Sequence, residues 1–352
     1  MNLNSNGFQK TTDLRAGNIR LSSLDFRSGT QDSLPGQGQL NRVTERLAHR
    51  KSNETKPKTH IARSMKQISR AATMQRLAFA WREEGKPIAL VPTMGFLHSG
   101  HGALIKRARK AVGKQGSVVV SLFVNPTQFA PDEDFDRYPR SEKEDLKLCR
   151  EFGADVVFSP SVDDIYPSCS EIPFTTFISE ETLSRPMEGS SRPTHFRGVL
   201  TVVAILFNIV QPSHALFGEK DFQQVAVIKK MVQDLRYPIK VIIGKTIRDR
   251  DGLAVSSRNA YLSVAQRQEA TVLWQCIQAA RDRVNATKTP YPATRLRTFI
   301  EKKVNNTPGA TLDYVEFFAS DSLQPVKSIR QSHRIALAVR FGKTRLIDNG
   351  EI

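Results

Sequence analysis

The stretch Ile88-Ala89-Leu90-Val91-Pro92-Thr93-Met94-Gly95-Phe96-Leu97-His98-Ser99-Gly100-His101 decides the architecture of this chain. Its first four residues are an apolar run of the kind that forms a strand buried on both faces of a parallel sheet. Behind it, Leu104 to Ala111 is basic and amphipathic, which predicts a helix. Between them stand Gly95 and Gly100, and His98 and His101. A strand-to-helix turn whose backbone can approach a ligand, opening onto a helix N-terminus, is a site for phosphate. Histidines three apart on a first helical turn face the same way. Two imidazoles aimed at a phosphate can donate hydrogen bonds to charge that builds up in phosphoryl or nucleotidyl transfer. Either histidine alone could be an ordinary capping or surface residue. The pair, the glycines and the strand context together favour a site.

At 352 residues the chain is long enough for two domains, and 39% apolar with 25% charged residues suits a soluble globular protein with a disordered part. No apolar run approaches the roughly 20 residues that span a bilayer; the longest, Gly198 to Val210, is interrupted by Thr201 and Asn208. Cys149, Cys169 and Cys276 are far apart and form no CxxC pair, so neither a zinc site nor a disulfide framework is indicated, and a reducing compartment fits. The formal net charge of +17 invites a nucleic-acid reading. Residues 1–70, however, hold thirteen Lys and Arg against five Asp and Glu, a surplus of eight that leaves nine for the other 282 residues. That remainder suits anionic small substrates, and no RNP motif, zinc finger or aromatic-interleaved basic stripe supports nucleic-acid binding. Residues 1–63 are polar, basic and without apolar period, which predicts disorder. They are also Arg- and Ser-rich, as transit peptides are, although Asp13, Asp25 and Asp32 speak against that. The cytoplasm is therefore the expected compartment, with mitochondria the alternative.

Outward from the histidines, Ser64-Met65-Lys66-Gln67 fits a capping box for a helix carrying Ile68, Ala71, Ala72 and Phe79 on one face and stopped by Gly85 and Pro87. Downstream, Val118 to Val124 predicts a strand that runs into Asn125-Pro126-Thr127-Gln128. An amide just past such a strand sits at the usual ligand edge of a parallel sheet. An acidic helix, Ser141 to Phe152, precedes a strand at Val156 to Phe158, and an apolar helix spans Val199 to Val210. In Ala215-Leu216-Phe217-Gly218-Glu219-Lys220-Asp221-Phe222-Gln223-Gln224 a short strand ends at Gly218 and a helix starts at about Asp221. Asp221 and Gln224 fit an N-cap pair, while a point charge at Lys220, where strand, turn and helix meet, suits a phosphate. After the strand Ile239 to Ile243, the loop Thr246 to Asn259 offers two hydroxyls, Ser256 and Ser257, followed by Arg258, a set that can wrap a triphosphate. Ser263 caps a long helix with Ala265, Leu273, Cys276, Ile277, Ala280 and Val284 on its buried side. A helix from Ala293 to Val304 follows, then strands at Leu312 to Phe318, Ile335 to Val339 and Thr344 to Ile347, closing on Leu346-Ile347-Asp348-Asn349.

Four of these segments, in this order, resemble the pantothenate synthetase (pantoate–β-alanine ligase) family of the HxGH nucleotidylyltransferases. They are PTMG-x-LH-x-GH at Pro92 to His101, S-x-FVNP-x-QF at Ser121 to Phe129, FGEKD-x-QQ at Phe217 to Gln224, and R-x-x-DGLA-x-SSRN at Arg248 to Asn259. Arg192-Pro193-Thr194-His195-Phe196-Arg197-Gly198-Val199 resembles a fifth family segment, whose Arg and His either shape the pocket or only cap the following helix. The resemblance implies an α/β fold: a Rossmann-like doubly wound parallel sheet over 64–246 and a smaller α+β lid over 247–352. It implies ATP contacts at Met94, Gly95, His98, Gly100, His101, Gly218, Lys220, Asp221, Ile247, Val255, Ser256, Ser257 and Arg258, with His98, His101, Lys220 and Arg258 acting on the phosphates. It implies pantoate and β-alanine near Gln128 and Gln224, Mg²⁺ on the phosphates, and a homodimer. Glu219 is expected to be structural, and Asp145 either neighbours the metal-bound phosphates or lies on a solvated helix face. Two positions depart from the family: Val255 replaces the usual Met, and Gly102 stands where a larger residue is commoner, which should weaken the helix start slightly. The implied reaction is ATP-dependent condensation of pantoate with β-alanine through a pantoyl adenylate. Another HxGH enzyme acting on a different acceptor, and a binding protein without catalysis, are the rival readings.

Overall fold

Successive residues of a strand point to opposite faces, so an unbroken apolar strand needs cover on both. The computed structural model, which describes residues 64–131, 133–168 and 172–352, is built on that requirement. The expectations for residues 1–63 and for Cys169 lie outside the described residues.

In chain order come β1 (Lys66–Ile68), α1 (Ala71–Glu83), β2 (Ile88–Thr93), α2 (Ser99–Val112), β3 (Ser117–Leu122), α3 (Glu142–Phe152) and β4 (Val156–Phe158). After the short α4 (Val162–Ile165) and α5 (Glu188–Ser191) come α6 (His195–Val210), β5 (His214–Gly218), α7 (Phe222–Asp234) and β6 (Lys240–Gly244). The six strands make one sheet in the order β1-β4-β3-β2-β5-β6, every pair parallel. Ile88 and Leu90 of β2 join a core with residues of α1, α6 and α7, while Ala89 and Val91 join a second core with α2 and α3. The sheet is thus doubly wound, as the apolar runs imply. Its strand order reverses between β2 and β5, and the crevice beyond the ends of those two strands is where such sheets bind ligands.

The rest of the chain adds α8 (Val264–Glu269), α9 (Val272–Asn285), β7 (Tyr291–Pro292), α10 (Ala293–Asn305), β8 (Ala310–Ala319), β9 (Ser328–Ile329), β10 (His333–Phe341) and β11 (Thr344–Glu351). β11, β10 and β8 form an antiparallel sheet in that order, and α9 and α10 cover it with a separate core. Among the described residues no helix is long and apolar enough to cross a membrane.

Several local expectations are corrected. The segment from Ser64 does not start a helix: Lys66–Ile68 pairs with Val156–Phe158 as an edge strand, and α1 begins at Ala71. Inter-strand hydrogen bonds override the local cap there. The buried side of α1 runs through Met74 and Ala78, not through Ala72 and Phe79: Phe79 is 46% exposed and Ala72 is exposed. The helix after Ser263 does have the expected capping box with Gln266, but it breaks at Ala270 and Thr271 into α8 and α9. Ala265 therefore lies on the exposed side, whereas Leu273, Cys276, Ile277, Ala280 and Val284 are buried. The apolar helix predicted from Val199 starts one turn earlier, at His195.

Candidate functional site

A cleft of about 860 Å³ opens at the β2–β5 crevice and is closed from the other side by the C-terminal sheet. Fourteen of the fifteen residues predicted for the site border it; the exception, Gly95, donates its backbone N–H to Thr93 Oγ1 at 3.2 Å.

The histidine turn caps itself. His98 is the N-cap of α2, and its Nδ1 accepts from Gly100 N at 3.2 Å. His101 Nδ1 accepts from His98 N at 3.3 Å, and the two ring centroids lie 4.1 Å apart. Capping is therefore real, and it occupies Nδ1 of each ring. A neutral imidazole that accepts at one nitrogen carries its proton on the other, so each ring keeps an Nε2–H. Burial first, then the Lys220 charge, lowers His98 to about 4. Burial, His98 and Lys220 hold His101 well below the usual histidine range. Both rings are neutral donors at pH 7. Asp145 is not on a solvated face: it is 3% exposed, and its two carboxylate oxygens accept from Phe96 N at 2.9 Å and Leu97 N at 2.6 Å. Burial raises its pKa, against the pull of these two bonds.

Beyond β3, Pro126–Gln128 form a single 3₁₀ turn. Asn125, 1% exposed, donates from Nδ2 to Gln128 Oε1 at 3.2 Å and to Gly198 O at 3.1 Å. Only a glycine lets α6 come this close, because a Cβ at Gly198 would lie 2.4 Å from Thr127 O. The Gln128 amide Nε2 faces Met94 Sδ at 2.9 Å. A thioether is a weak acceptor, so this donor is available to an oxygen-rich ligand. The Gln128 carbonyl takes hydrogen bonds from His195 Nδ1 at 3.0 Å and Arg192 Nη2 at 3.3 Å. Glu133 in turn holds Arg192 at 2.5 and 2.7 Å. Burial and then Arg192 lower His195 to about 4, so this ring is neutral too. Arg192 and His195 were not among the predicted site residues, although their segment was legible; they brace the Gln128 turn and border the cleft.

At the end of β5, Lys220 lies 3.5 Å from Asp221 Oδ1. Asp221 precedes α7 without a side-chain cap bond, which removes the N-cap account of Asp221 and Gln224. The two glutamines divide sharply. Gln223 is 6% exposed and saturated by Leu183 O, Pro186 O and Glu188 N. Gln224 borders the cleft, and its side-chain amide makes no hydrogen bond to another described residue. Glu219 pairs with Arg334 at 3.0 Å, a structural contact.

The loop after β6 brings in the third set. Val255 N donates to Ile247 O at 2.9 Å, and both residues border the cleft. Ser257 Oγ donates to Phe96 O at 3.2 Å, tying this loop to the histidine turn. Arg258 N donates to Ser256 Oγ at 3.3 Å. The Arg258 guanidinium is bidentate on Asp134, at 3.0 and 2.8 Å. Asp134 was not foreseen: in a run with Asp132, Glu133 and Asp136, sequence gives no means of choosing which acid meets the arginine.

Comparison with known proteins agrees with this geometry. Residues 66–351 match the family model described as "Pantoate-beta-alanine ligase". The chain is 47% identical over 285 residues to a pantothenate synthetase of Geobacter sulfurreducens, covering 81% of this chain and 98% of the relative. Among solved structures, it resembles a pantothenate synthetase of Thermus thermophilus with a TM-score of 0.74 and 39% identity, over 82% of this chain and 99% of that one. It also resembles the pantoate-beta-alanine ligase of Francisella tularensis, solved in complex with "Beta-gamma ATP and Beta-alanine", with a TM-score of 0.66 and 33% identity, over 82% and 98%. A match over this much of the chain, on a cleft assembled from the four motif segments, places the protein in the pantoate–β-alanine ligase family.

Proposed function

We propose that this chain condenses pantoate with β-alanine at the expense of ATP, forming pantothenate, AMP and pyrophosphate through a pantoyl adenylate. The observation that carries the reading is the convergence on one cleft of two neutral imidazole donors, Lys220 and Arg258, with the amides of Gln128 and Gln224 beside them. A carboxylate and an amine do not condense unaided, because oxide is too poor a leaving group. The pantoate carboxylate therefore attacks the α-phosphorus of ATP, and the bond to pyrophosphate breaks. The β-alanine amine then attacks the acyl carbon, and AMP leaves with the carboxylate oxygen.

His98 and His101 donate from Nε2 to phosphate oxygens as charge builds up, and Lys220 and Arg258 spread that charge as fixed cations. Ser256 and Ser257 frame the triphosphate. The backbone at Met94, Gly100, Gly218, Ile247 and Val255 lets the nucleotide approach. Gln128 and Gln224 hold pantoate by its hydroxyl and carboxylate oxygens, which supplies proximity. Among the described residues no three His, Cys, Asp or Glu side chains gather as a metal site. That fits Mg²⁺, which commonly takes one or two carboxylates together with substrate phosphates. Asp221, half-exposed beside Lys220, is the carboxylate that would hold it, and the ion would neutralise phosphate charge. On this reading residues 64–246 bind the nucleotide and pantoate, and residues 247–352 act as the lid. The same reading carries a homodimer, checked by light scattering as a particle of twice the 39.5 kDa chain mass. It also carries the cytoplasm as compartment, checked by imaging the tagged full chain.

Isotope exchange tests the reaction. Enzyme, Mg²⁺, ATP and pantoate without β-alanine should exchange labelled pyrophosphate into ATP, and omitting pantoate should abolish exchange. Lys220→Ala and Arg258→Ala should slow exchange and overall synthesis together. Exchange supported by a different acid in place of pantoate would retain adenylation and overturn the substrate.

A further inference from the structure

The turn that carries Lys220 has no side-chain cap of its own. Something else must fix it, and the structure supplies that from the far end of the chain. Asn349, 4% exposed in β11, donates from Nδ2 to Glu219 O at 3.0 Å and to Lys220 O at 2.7 Å. Its Oδ1 accepts from Arg334 Nη2 at 2.8 Å, and the same nitrogen reaches Glu219 Oε1 at 3.0 Å. The Arg334 guanidinium lies 4.1 Å from the centre of the Phe222 ring, at the first residue of α7.

The neighbouring residue does the same for the other phosphate loop. Asp348, 2% exposed, takes a bidentate pair from Arg248 at 2.6 and 2.9 Å. Arg248 Nη1 also donates to Gly252 O at 3.1 Å, and its backbone bridges to Ala254, so it forms the root of the loop that carries Ser256, Ser257 and Arg258. Adjacent residues of a strand point to opposite faces, which is how one strand end reaches both turns. Asp348 Oδ1 also accepts from Asn349 N at 2.8 Å, coupling the two anchors. Lys220, Ser256 and Asp348 border one narrow crevice between the turns.

We propose that Asp348 and Asn349 are the positioning residues of adenylyl transfer: Asn349 sets Lys220, Asp348 sets Arg258 through Arg248, and their shared strand fixes the spacing of the two cations. The inference rests on the roles given above to Lys220 and Arg258. It predicts a pattern that mere stabilisation of the fold does not give. Displacing a fixed group by a fraction of an ångström to one ångström costs about tenfold to a hundredfold in rate. That loss disappears when the displaced group is already absent.

The experiment is pantoate-dependent pyrophosphate exchange on the full chain with Mg²⁺ and ATP, combined with thermal melts. Asn349→Asp, which turns two donors into acceptors facing carbonyls, should slow exchange about tenfold to a hundredfold, and in Lys220→Ala its effect should shrink to about twofold. In Arg258→Ala its full effect should remain. Asp348→Asn should show the reverse pattern, silent in Arg258→Ala and fully effective in Lys220→Ala. Should Asn349→Asp fail to fold, Asn349→Leu keeps the volume, removes the donors and carries the same comparison. Equal losses in every background would overturn the inference and leave the two residues as ordinary fold contacts. A Lys220→Ala enzyme with undiminished exchange would overturn the role of Lys220 itself, and the inference with it.

Discussion

The histidine turn and the Lys220 turn border the same cleft and are held by opposite means. The first is fixed mainly from within: its cap bonds join residues two and three apart, Gly100 to His98 and His98 to His101. Its principal outside anchor is Asp145. The second has no side-chain cap and is gripped by Asn349, 129 and 130 residues away. A turn that carries its own geometry can be read from a short motif. A turn that borrows its geometry can be located by a motif, but its support cannot be read there. Substitutions should therefore act differently on the two. On the proposed roles, one residue of the histidine turn is both framework and chemistry, whereas in the Lys220 turn framework and chemistry can be changed separately.

The largest expected effect tests the first half of that contrast. His101→Ala removes an Nε2–H donor and the acceptor for His98 N at once. Loss of one donor to developing charge lowers kcat by about 10²–10³, with ATP affinity changing much less. Single-turnover adenylate formation would measure this. A folded variant with near-full turnover would return His101 to a capping role alone.

Asp145→Asn tests the outside anchor. An amide can offer one oxygen to Phe96 N or Leu97 N, but its NH₂ must then face the other donor. Leaving a buried donor unpaired costs about 1–3 kcal/mol. The denaturant midpoint should fall accordingly, and exchange should slow by about tenfold as the histidines lose their backing. Unchanged stability would mean that the turn needs no anchor beyond its own caps.

The histidines also set a pH dependence whose sign is fixed by their environment. In the unfolded chain they titrate near 6.5. Folded, burial and then Lys220 lower His98 to about 4, and burial and then Arg192 lower His195 to about 4. Between these values the unfolded chain takes up protons that the folded chain refuses. Stability present above pH 6.5 is therefore lost as the pH falls toward 4, and this contribution levels off below that. Urea midpoints at pH 7, 5.5 and 4 should show the decline, and His98→Asn, which retains a capping oxygen or amide, should make it shallower. Exchange rates should show no break near 6.5 from the histidine pair, since neither ring changes charge there. A break that vanishes in His98→Asn would sink the neutral-donor assignment.

What was legible in the sequence follows the same division. The parallel sheet could be read because Ile88 to Val91 and Val118 to Val120 are buried on both faces, and such strands are apolar without alternation. The placement of fourteen predicted residues around the cleft was legible because the family resemblance is carried by short motifs in the segments that follow β2, β3, β5 and β6. The supports were not. Asp134, Asp348 and Asn349 act on partners far away in sequence, and no local spacing reports such a contact; the Arg192–His195 segment was legible, but its hold on the Gln128 turn was not. The edge strand β1 escaped for the same reason. Its partner β4 lies about 90 residues on, so a plausible local cap at Ser64 looked decisive and was not.

The smallest effect concerns Gly102, which local reasoning alone treats as a weak start to α2. The structure gives it a different cause. Gly102 is buried, and a Cβ there would lie 2.8 Å from Cε2 and 2.9 Å from Cζ of Phe152, at the end of α3. A larger side chain at this position would have to displace a ring that this chain places against its helix. Gly102→Ala sets two terms in opposition. Helix propensity gains up to about 1 kcal/mol, and overpacking against the ring costs about 1–3 kcal/mol. The net change should be destabilising by about 1 kcal/mol, with kcat altered less than about threefold because neither histidine cap bond involves Gly102. Phe152→Leu removes the ring edge. In that background Gly102→Ala should change from destabilising to neutral or stabilising, because only the propensity term is left. Urea midpoints of the four proteins in this cycle decide the matter. If Gly102→Ala stabilises even the wild-type chain, the ring moves aside freely, and helix propensity alone, not the α2–α3 contact, sets the effect of the substitution.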